Sequence, residues 1–305
     1  MTFTITPLTL GTSHLGRGTE PGSDADAAAI SIANDLLHNS DALIDTSNNY
    51  SDGRSEAVLG AALAQAAPGT AERIISKVDR DPATGAFDRD RVLRSFEETA
   101  TRLGVDRLPL LHLHDPYTVT FEEAAGAGGA VEGLVQLREE GLVGAIGIAA
   151  GPTPFVARYV NTGAFDAVLI HNRFTLIDQS AAPVFADAKA RGMTVFNAAP
   201  FGSGILVTGA REGAVYHYRP ARPELLEWVA KVERLCTAHE VPLAAAALHF
   251  SMRSPIVDST VVGVATAGRR AQLDELASVV VTDDLWADLE LLGPAPSPVD
   301  DHAYA

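Results

Sequence analysis

The amino-acid sequence predicts an α/β protein that folds as one (β/α)₈ TIM barrel over residues 1–305. Short apolar runs alternate with amphipathic stretches of helical period, the pattern of repeated β–α units around a parallel sheet. No interior stretch rich in Pro, Gly or Ser divides the chain into domains. The 305 residues, 47% of them hydrophobic, suffice for one large core, and eight strand–helix units at this length favour a closed barrel over an open sheet.

Eight apolar runs are the candidate barrel strands. In chain order they lie at residues 5–11, 42–46, 73–78, 108–114, 143–149, 166–172, 194–200 and 259–265. Each is a short run rich in Leu, Ile, Val or Ala, as strands buried on both faces are.

Amphipathic segments between these runs are the candidate helices, for example residues 24–39, 89–104 and 180–192. Several helical segments end in glycine, the residue that most readily adopts the left-handed backbone of a helix C-terminus; these are Gly104, Gly141 and Gly192. Residues 201–223, after the seventh strand, are the longest irregular stretch, and a loop of this length in a compact fold is usually functional. The Pro-rich residues 293–305 are expected to lie extended on the surface.

Composition excludes several classes of function. A net charge of −16 argues against nucleic-acid binding, which needs a basic surface. The single cysteine, Cys236, excludes an intrachain disulfide. The N-terminus lacks the features of a signal peptide, and no apolar stretch is long enough to span a bilayer. We therefore expect a cytoplasmic enzyme with a small-molecule substrate, working as a monomer or small homo-oligomer without membrane or nucleic-acid partners.

Four polar residues follow neighbouring candidate strands: Asp45, Tyr50, Lys77 and His114. Active sites of parallel barrels form at the carboxyl ends of the strands, so these side chains are expected to meet there. A phenol beside an ammonium suits proton transfer at an alcohol or carbonyl oxygen, because the positive charge of Lys77 should lower the pKa of Tyr50 from about 10. We expect Asp45 to hold Lys77 and His114 to orient the substrate oxygen.

Each of these residues taken alone has an ordinary structural explanation, such as a turn-capping aspartate or a half-buried aromatic ring. His112, two residues before His114, points to the same face of its strand but one layer deeper, and we expect it to be a core histidine. Only the combination at one barrel mouth favours catalysis.

The residues IDTSNNYSDGRSEAVLG (44–60), with ISKV and LLHLHDP behind them, resemble the signature of the aldo-keto reductase family. The resemblance implies a (β/α)₈ barrel that moves a hydride between NAD(P)(H) and a carbonyl or alcohol. It places the catalytic tetrad on Asp45, Tyr50, Lys77 and His114, with Tyr50 as general acid/base. Residues 165–179, 196–206 and 239–255 are similar to the branch of D-threo-aldose 1-dehydrogenase, L-fucose dehydrogenase and pyridoxal 4-dehydrogenase-like members, which implies oxidation of a sugar or aldehyde.

The same resemblance implies where the dinucleotide binds. The pyrophosphate is expected in the loop after the seventh strand and the adenosine end after the eighth. The predicted cofactor contacts are Gly11, Thr12, Asp45, His171, Asn172, Phe201, Gly202, Ser203, Gly204, Leu206, Arg269, Arg270 and Gln272.

Three departures from the family pattern bear on the cofactor. Residues 264–266 (Val-Ala-Thr) lack the Lys or Arg that many members carry there, so the choice between NADP and NAD stays open. Ala149 and Ala150 replace a Ser-Asn pair that often holds the carboxamide, and Ala198 replaces a Tyr that often stacks on the nicotinamide. His171 or Asn172 is the expected substitute for the carboxamide contact.

Other functions remain open alternatives. An NADPH-dependent reductase of aldehydes or ketones would use the same fold. A metal-dependent barrel hydrolase could use the His112–His114 pair, with His171, as ligands for Zn²⁺. A Schiff-base aldolase could use Lys77 as its nucleophile, and a non-catalytic subunit is a further alternative. The substrate itself is expected to be selected by residues 12–26, 115–129 and 207–223, in which no motif specifies sugar stereochemistry.

Overall fold

The predicted barrel is closed. The computed structural model describes residues 4–217, 219–296 and 299–301. The strands in this part of the chain are β1 (Leu8–Gly11), β2 (Leu43–Asp45), β3 (Ile74–Val78), β4 (Leu111–His114), β5 (Ile146–Ala150), β6 (Ala167–His171), β7 (Thr194–Ala198), β8 (Val215–Tyr216), β9 (Arg219–Pro220) and β10 (Ser259–Gly263). Strands β1 to β7 and β10 form a closed parallel barrel in the order β1, β10, β7, β6, β5, β4, β3, β2. This arrangement confirms the (β/α)₈ fold class.

Helices surround the barrel and cover its strands. They are α1 (Asp24–His38), α2 (Arg54–Leu63), α3 (Arg89–Leu103), α4 (Phe121–Ala125), α5 (Ala130–Glu139), α6 (Thr153–Asn161), α7 (Ala182–Ala190), α8 (Ile205–Thr208), α9 (Pro223–Ala238), α10 (Leu243–Met252), α11 (Arg269–Ser278) and α12 (Asp283–Leu291). Within the described ranges, none of them has both the length and the apolar character needed to cross a membrane.

Local sequence signals account for the helix ends. The Asp88 carboxylate accepts a hydrogen bond from the Arg91 amide at 2.8 Å and so caps α3. The same helix ends at Gly104, whose φ of 70° is left-handed, as its glycine predicts. Ser23 caps α1 by accepting from the Asp26 amide at 3.1 Å.

Alternation along the strands separates two apolar regions. On β4, Leu111 and Leu113 belong to the core between barrel and helices. His112 lies inside the barrel, where its ring packs edge-on against Phe196 with centroids 5.9 Å apart. Apolar side chains of other strands, such as Ile75, fill the same interior. The polar residues at the strand ends therefore lie directly above a packed, mainly apolar barrel interior.

Several sequence-based boundaries need correction. Strands β1 and β5 begin three residues later than predicted, at Leu8 and Ile146. Strand β4 begins at Leu111 rather than at residue 108, since Pro109 has no amide hydrogen to donate and Leu108 forms only an isolated bridge to Val143. Residues 201–223 are not irregular throughout. They contain a 3₁₀ turn at Gly202–Gly204, helix α8 and the short antiparallel hairpin of β8 and β9.

Candidate active site

A cavity of about 1600 Å³ opens at the carboxyl ends of the barrel strands. The predicted site residues that line it are Gly11, Asp45, Tyr50, Lys77, His114, His171, Asn172, Phe201, Ser203, Gly204 and Arg269. Three non-glycine residues at its rim have left-handed backbone directly after barrel strands: Asp115 (φ 45°), Asn172 (φ 60°) and Ala199 (φ 58°). Strained backbone of this kind is concentrated at functional sites. The cavity is therefore the candidate active site.

Lys77 lies at the base of the cavity in a fixed hydrogen-bonding position. Its Nζ is 2.6 Å from Oδ1 of Asp45, and both side chains are buried. The same Nζ donates to the Thr46 carbonyl at 2.7 Å and to the Tyr50 hydroxyl at 3.1 Å. The ammonium thus has one ion-pair partner and two hydrogen-bond acceptors, and one of its protons points at the phenol. The predicted contacts among Asp45, Lys77 and Tyr50 are present.

The pKa of Tyr50 differs in direction from the sequence-based expectation. Burial raises it, and the nearby carboxylates of Asp45 and Asp79 add to that effect. The Lys77 ammonium lowers the pKa but does not overcome burial. Tyr50 is thus a protonated phenol at neutral pH in this structure, ready to donate rather than to accept a proton. The expected lowering toward working pH was wrong because the sequence shows the nearby charge but not the desolvation.

His114 is held by a carboxylate that sequence reasoning missed. Oδ1 of Asp79 lies 2.8 Å from Nδ1 of His114. Oδ2 of Asp79 accepts from the Asn49 amide at 2.9 Å and from the Ser47 hydroxyl. Asp79 is the residue after β3, two positions beyond Lys77, so its place at the same strand end could have identified it.

The charges around His114 favour its protonated form. Burial would lower the pKa of the imidazole, but the Asp79 and Asp115 carboxylates outweigh burial and raise it. The ring of His114 also stands edge-on to Tyr50, with centroids 5.6 Å apart. An imidazole and a phenol thus reach the same region of the cavity, as the predicted tetrad requires.

The metal-hydrolase alternative fails on the position of His112. Its side chain is fully buried inside the barrel, and both ring nitrogens lack hydrogen-bond partners within the described residues. A Cβ on Gly147 would lie 2.2 Å from its Nδ1, so the neighbouring strand leaves no room for an ion. Among the described ranges, no group of three or more His, Cys, Asp or Glu side chains is placed to hold a metal.

The Schiff-base alternative fails on the charge of Lys77. A nucleophilic lysine needs a lowered pKa so that its neutral amine is available. Burial alone would lower the pKa of Lys77, but Asp45 and Tyr50 outweigh that effect and raise it above its ordinary value. Lys77 is therefore a permanent ammonium.

One wall of the cavity is suited to the nicotinamide carboxamide. Asn172 is almost fully buried, and its Oδ1 has no hydrogen-bond partner among the described residues. Its Nδ2 lies 3.2 Å from Nδ1 of His171, whose pKa burial lowers to about 4. A buried amide oxygen without a donor is costly, and a ligand NH₂ group would satisfy it. The residues at this wall therefore fit the carboxamide role expected of Asn172 and His171.

The chain's C-terminal part closes the same side of the cavity. The guanidinium of Arg173 is buried and pairs with Asp301, with Nη2 2.8 Å from Oδ1. Oδ2 of Asp301 accepts from the Thr153 amide at 3.0 Å, and the Val299 amide donates to Asp178 at 2.7 Å. The expectation that residues 293–305 lie extended on the surface was therefore wrong at Asp301, which is 8% exposed; residues 297–298 and 302–305 of that segment lie outside the described residues.

Asp301→Ala is expected to detach the C-terminal segment around Asp301 from the cavity wall. The substitution leaves Arg173 buried without its counter-charge and removes the acceptor of the Thr153 amide. Hydrogen exchange at Thr153 should accelerate by roughly tenfold or more, while exchange at Val156, whose amide bonds within α6, stays unchanged. Unaltered protection of the Thr153 amide from hydrogen exchange would show that Asp301 does not hold the C-terminal segment against the cavity wall.

Fewer groups of the predicted pyrophosphate loop are available to a ligand in the cavity than the sequence predicts. The amides of Gly202, Gly204 and Leu206 donate to carbonyls within the turn, at 3.0 to 3.2 Å. Leu206 is fully buried behind the loop. The side chains that remain available to a phosphate from this side are the Ser203 hydroxyl and the Arg269 guanidinium, which lies 5.7 Å from the ring of Phe201.

The first strand contributes space rather than polar contacts. Gly11 lines the cavity, and Gly263 beside it on β10 has open space where a Cβ would stand. Thr12 is fully buried, and its hydroxyl donates to the Asp45 carbonyl at 2.8 Å. Thr12 thus supports Asp45 from behind the cavity wall, and its contact with a cofactor stays a prediction.

The predicted adenosine contacts divide between two places. Arg269 lines the main cavity and donates to the exposed Gln272 at 3.3 Å. Arg270 instead lines a separate cavity of about 120 Å³ beside α1. There its Nε lies 2.9 Å from Asp35, and its Nη1 pairs with Asp274. The roles of Arg270 and Gln272 toward a dinucleotide stay predictions.

Sequence comparison places the chain among known oxidoreductases. The sequence model of the Aldo/keto reductase family matches residues 7–292. The chain is 34% identical to D-threo-aldose 1-dehydrogenase from Pseudomonas sp. over 215 residues, which are 70% of this chain but only 64% of that relative. It is 27% identical to pyridoxal 4-dehydrogenase from Microbacterium luteolum, over 95% of both chains. It is 26% identical to L-galactose dehydrogenase from Arabidopsis thaliana, over 94% of this chain and 88% of that one.

Solved structures share the fold. An aldo-keto reductase from Bacillus halodurans, in its holo form, superposes with a TM-score of 0.77 at 18% identity, over 99% of this chain and 96% of that one. The glycerol dehydrogenase of Gluconobacter oxydans gives a TM-score of 0.76 at 18% identity, over 98% and 95%. At this identity the likeness concerns the barrel alone.

Proposed function

Since this chain belongs to the aldo/keto reductase family, as its motifs predicted, we propose that it transfers a hydride between a nicotinamide dinucleotide and an aldose, an aldehyde or a related alcohol. The observation that carries the proposal is the contact of the Lys77 ammonium with the Tyr50 hydroxyl, at 3.1 Å, beside His114 at the base of a large cavity. Neither the hydrolase nor the aldolase uses a phenol in this position.

Each residue has a separate role at the substrate oxygen. When bound, the nicotinamide ring supplies the hydride acceptor or donor, so the protein has to manage charge and protons at the oxygen. Tyr50 exchanges its hydroxyl proton with that oxygen. Lys77 stabilises negative charge on the phenol oxygen, and Asp45 keeps Lys77 in place. His114 donates a hydrogen bond that orients the oxygen toward Tyr50.

The cofactor is proposed to extend from the base of the cavity to its rim. Asn172 and His171 would hold the carboxamide, since Oδ1 of Asn172 is an acceptor without a donor among the residues that the structure describes. Ser203 and Arg269 would bind phosphate oxygens, and Arg269 is a cation in a chain with a net charge of −16. Gly263, with open space where a Cβ would stand, leaves room for a flat ring at the cavity wall.

A sugar is the substrate class that the similar enzymes suggest. Two of the three relatives are named for oxidising a sugar, and the third for oxidising pyridoxal. Polar groups at the cavity rim, including Asp115, Arg17 and His14, suit a substrate with several hydroxyl groups. The raised pKa of Tyr50 also suits reduction of an aldehyde, which needs a proton donor. We therefore propose oxidation of a sugar hemiacetal to its lactone as the main activity, and reduction of an aldehyde to its alcohol as a separate reaction of the same site.

A dinucleotide absorbance assay tests the proposal. The purified protein is mixed with NAD or NADP and a panel of aldoses, and separately with the reduced dinucleotides and a panel of aldehydes. Turnover of at least one aldose, with no effect of a metal chelator, is the expected result. A protein that binds neither dinucleotide would overturn the proposal.

We expect NAD to bind more tightly than NADP. Two arginines open α11, and Arg269 is proposed to bind phosphate oxygens of the pyrophosphate. The other, Arg270, is the one left for a 2′-phosphate, and it is already paired with Asp35 and Asp274, whose two carboxylates exceed its single positive charge. The side-chain hydrogen bond from Arg270 also lowers the pKa of Asp35, which keeps that carboxylate ionised. A phosphate dianion placed there would meet a net negative charge.

Asp35→Ala should reduce the preference for NAD over NADP. Removing the carboxylate frees one side of Arg270, so the ratio of the NADP to the NAD dissociation constant should fall by roughly tenfold, equivalent to about 1.4 kcal/mol. Titration calorimetry of both dinucleotides measures the ratio. Asp24→Ala, which removes an exposed carboxylate from the same helix, is the matched control. An equal ratio in the two variants would exclude a role for Asp35.

A further inference from the structure

Asp79 is a buried carboxylate with a single ionisable partner. It is 4% exposed, and His114 is its one ion-pair partner among the described residues. A carboxylate taken out of water is costly unless an opposite charge or several donors compensate it. Two neutral donors, the Ser47 hydroxyl and the Asn49 amide, fix Oδ2 and leave Oδ1 directed at His114. The site is therefore built to place a negative charge behind the imidazole.

The opposite edge of the imidazole faces the cavity. Since Asp79 occupies Nδ1, the nitrogen available to a ligand is Nε2, which lies 3.8 Å from Oδ2 of Asp115. His114 lines the cavity together with Tyr50 and Lys77. An imidazolium in this position would carry one N–H to Asp79 and the other toward the place where a substrate oxygen meets Tyr50.

We propose that Asp79 is a positioning residue that fixes the ring of His114 and keeps it as an imidazolium, so that its Nε2–H donates a charged hydrogen bond to the substrate oxygen. The inference rests on the proposed function, because it assigns the oxygen of that reaction as the acceptor. A charged donor stabilises the negative charge that develops on the oxygen in either direction of hydride transfer. Its hydrogen bond is roughly twice as strong as that of a neutral donor.

The balance of the groups that face His114 favours the charged ring. The carboxylates of Asp79 and Asp115 favour the charged ring, whereas burial and the Lys77 ammonium oppose it. His112, one layer below, is neutral because burial lowers its pKa well below the ordinary value, and His171 across the cavity is neutral for the same reason. Tyr50 is a neutral phenol. Lys77 is itself neutralised by Asp45 at 2.6 Å, so the carboxylates decide the charge of His114.

The direct test is the titration of His114 by NMR in the protein without substrate. The ring resonance is assigned by its loss in His114→Gln. The expected midpoint lies above the ordinary histidine value of about 6.5, and it falls in Asp79→Asn because the amide carries no charge. A wild-type midpoint at or below the ordinary value would overturn the proposal, whether or not the variant folds. Ser47→Ala removes a neutral hydroxyl that donates to Asp79 and lies 3.1 Å from Nδ1 of His114; because the Asp79 charge remains, it should lower the midpoint to a smaller extent.

Kinetics provide the second test. The imidazolium disappears as pH rises through the pKa of His114, so the alkaline decline of kcat should move to lower pH in Asp79→Asn. At pH 8, kcat should be about tenfold lower than in the wild type, with little change in KM, because the charged bond is strongest in the transition state. Asp90→Asn, an exposed carboxylate near the start of α3, is the matched control and should change neither.

The outcomes separate the two proposals. A wild-type protein that turns over no aldose or aldehyde, yet shows the expected NMR titration, contradicts the proposed function and leaves the Asp79–His114 pair intact. Turnover by the wild type with an unchanged pH profile and midpoint in Asp79→Asn supports the proposed function and overturns the role of Asp79.

Discussion

Tyr50→Phe is expected to lower kcat by about 10²–10⁴-fold, the usual contribution of a positioned acid/base group. The ring remains, so its packing 4.4 Å from the Lys77 ammonium and edge-on to His114 should persist. What is lost is the hydroxyl that accepts from Lys77 at 3.1 Å and exchanges a proton with the substrate. The loss corresponds to about 3–5 kcal/mol of transition-state stabilisation.

Dinucleotide binding distinguishes lost chemistry from lost structure. The dissociation constant of NAD, measured by calorimetry, should stay within about twofold in Tyr50→Phe, because no proposed cofactor contact involves the hydroxyl. Tyr159→Phe is the matched control, since the Tyr159 hydroxyl is buried without a hydrogen-bond partner among the described residues and lies on α6 outside the cavity lining. A Tyr50→Phe enzyme with wild-type kcat would refute the assignment of Tyr50 as acid/base.

Lys77→Met is expected to destabilise the fold by about 3–5 kcal/mol in addition to abolishing turnover. Methionine matches the length of the lysine stem but removes the charge that compensates Asp45. The two side chains are 1% and 4% exposed, so the aspartate would be left ionised away from water. Chemical denaturation with urea measures the free energy of unfolding, and a loss of this size is a large part of the 5–15 kcal/mol typical of a domain.

The double variant Asp45→Asn, Lys77→Met separates stability from chemistry. Neutralising both members of the pair removes the buried unpaired charge, so most of the lost stability should return. Activity should not return, because the ammonium that faces Tyr50 is still absent. A single variant Lys77→Met with wild-type stability would show that the pair is hydrated in solution.

The fold and the residues proposed for proton transfer were accessible to sequence reasoning because their signals are local. A strand is marked by its own apolar run, and a helix by its own caps, such as Asp88 and Gly104 around α3. Parallel barrels bring successive strand ends to one mouth, so residues after β2, β3 and β4 had to converge once the strands were identified. The convergence of Asp45, Lys77 and His114 is confirmed by the structure.

Several contacts of the site could not be predicted from the sequence. Asp79 has a local signal in its place directly after β3, but its partner, His114, lies 35 positions away, so the pairing itself was not predicted. The pairing of Arg173 with Asp301 joins residues 128 positions apart. Arg270 was expected to face a cofactor, yet Asp35 on the distant helix α1 pairs with it. Each of these contacts depends on which helix or segment packs against which strand end.

The sequence alone determined the barrel, the family and the identity of the residues proposed to handle the substrate proton, because each depends on residue type and spacing along the chain. Only the tertiary structure decided the charges of those residues. Burial raises the pKa of Tyr50, whereas its lysine neighbour alone would lower it. The Asp79 carboxylate helps to raise the pKa of His114 and so favours its protonated form. The physical reason is that a pKa depends on how far the group is buried from water and on which charges lie within a few ångströms of it. Both depend on the three-dimensional packing and cannot be obtained from the order of residues alone.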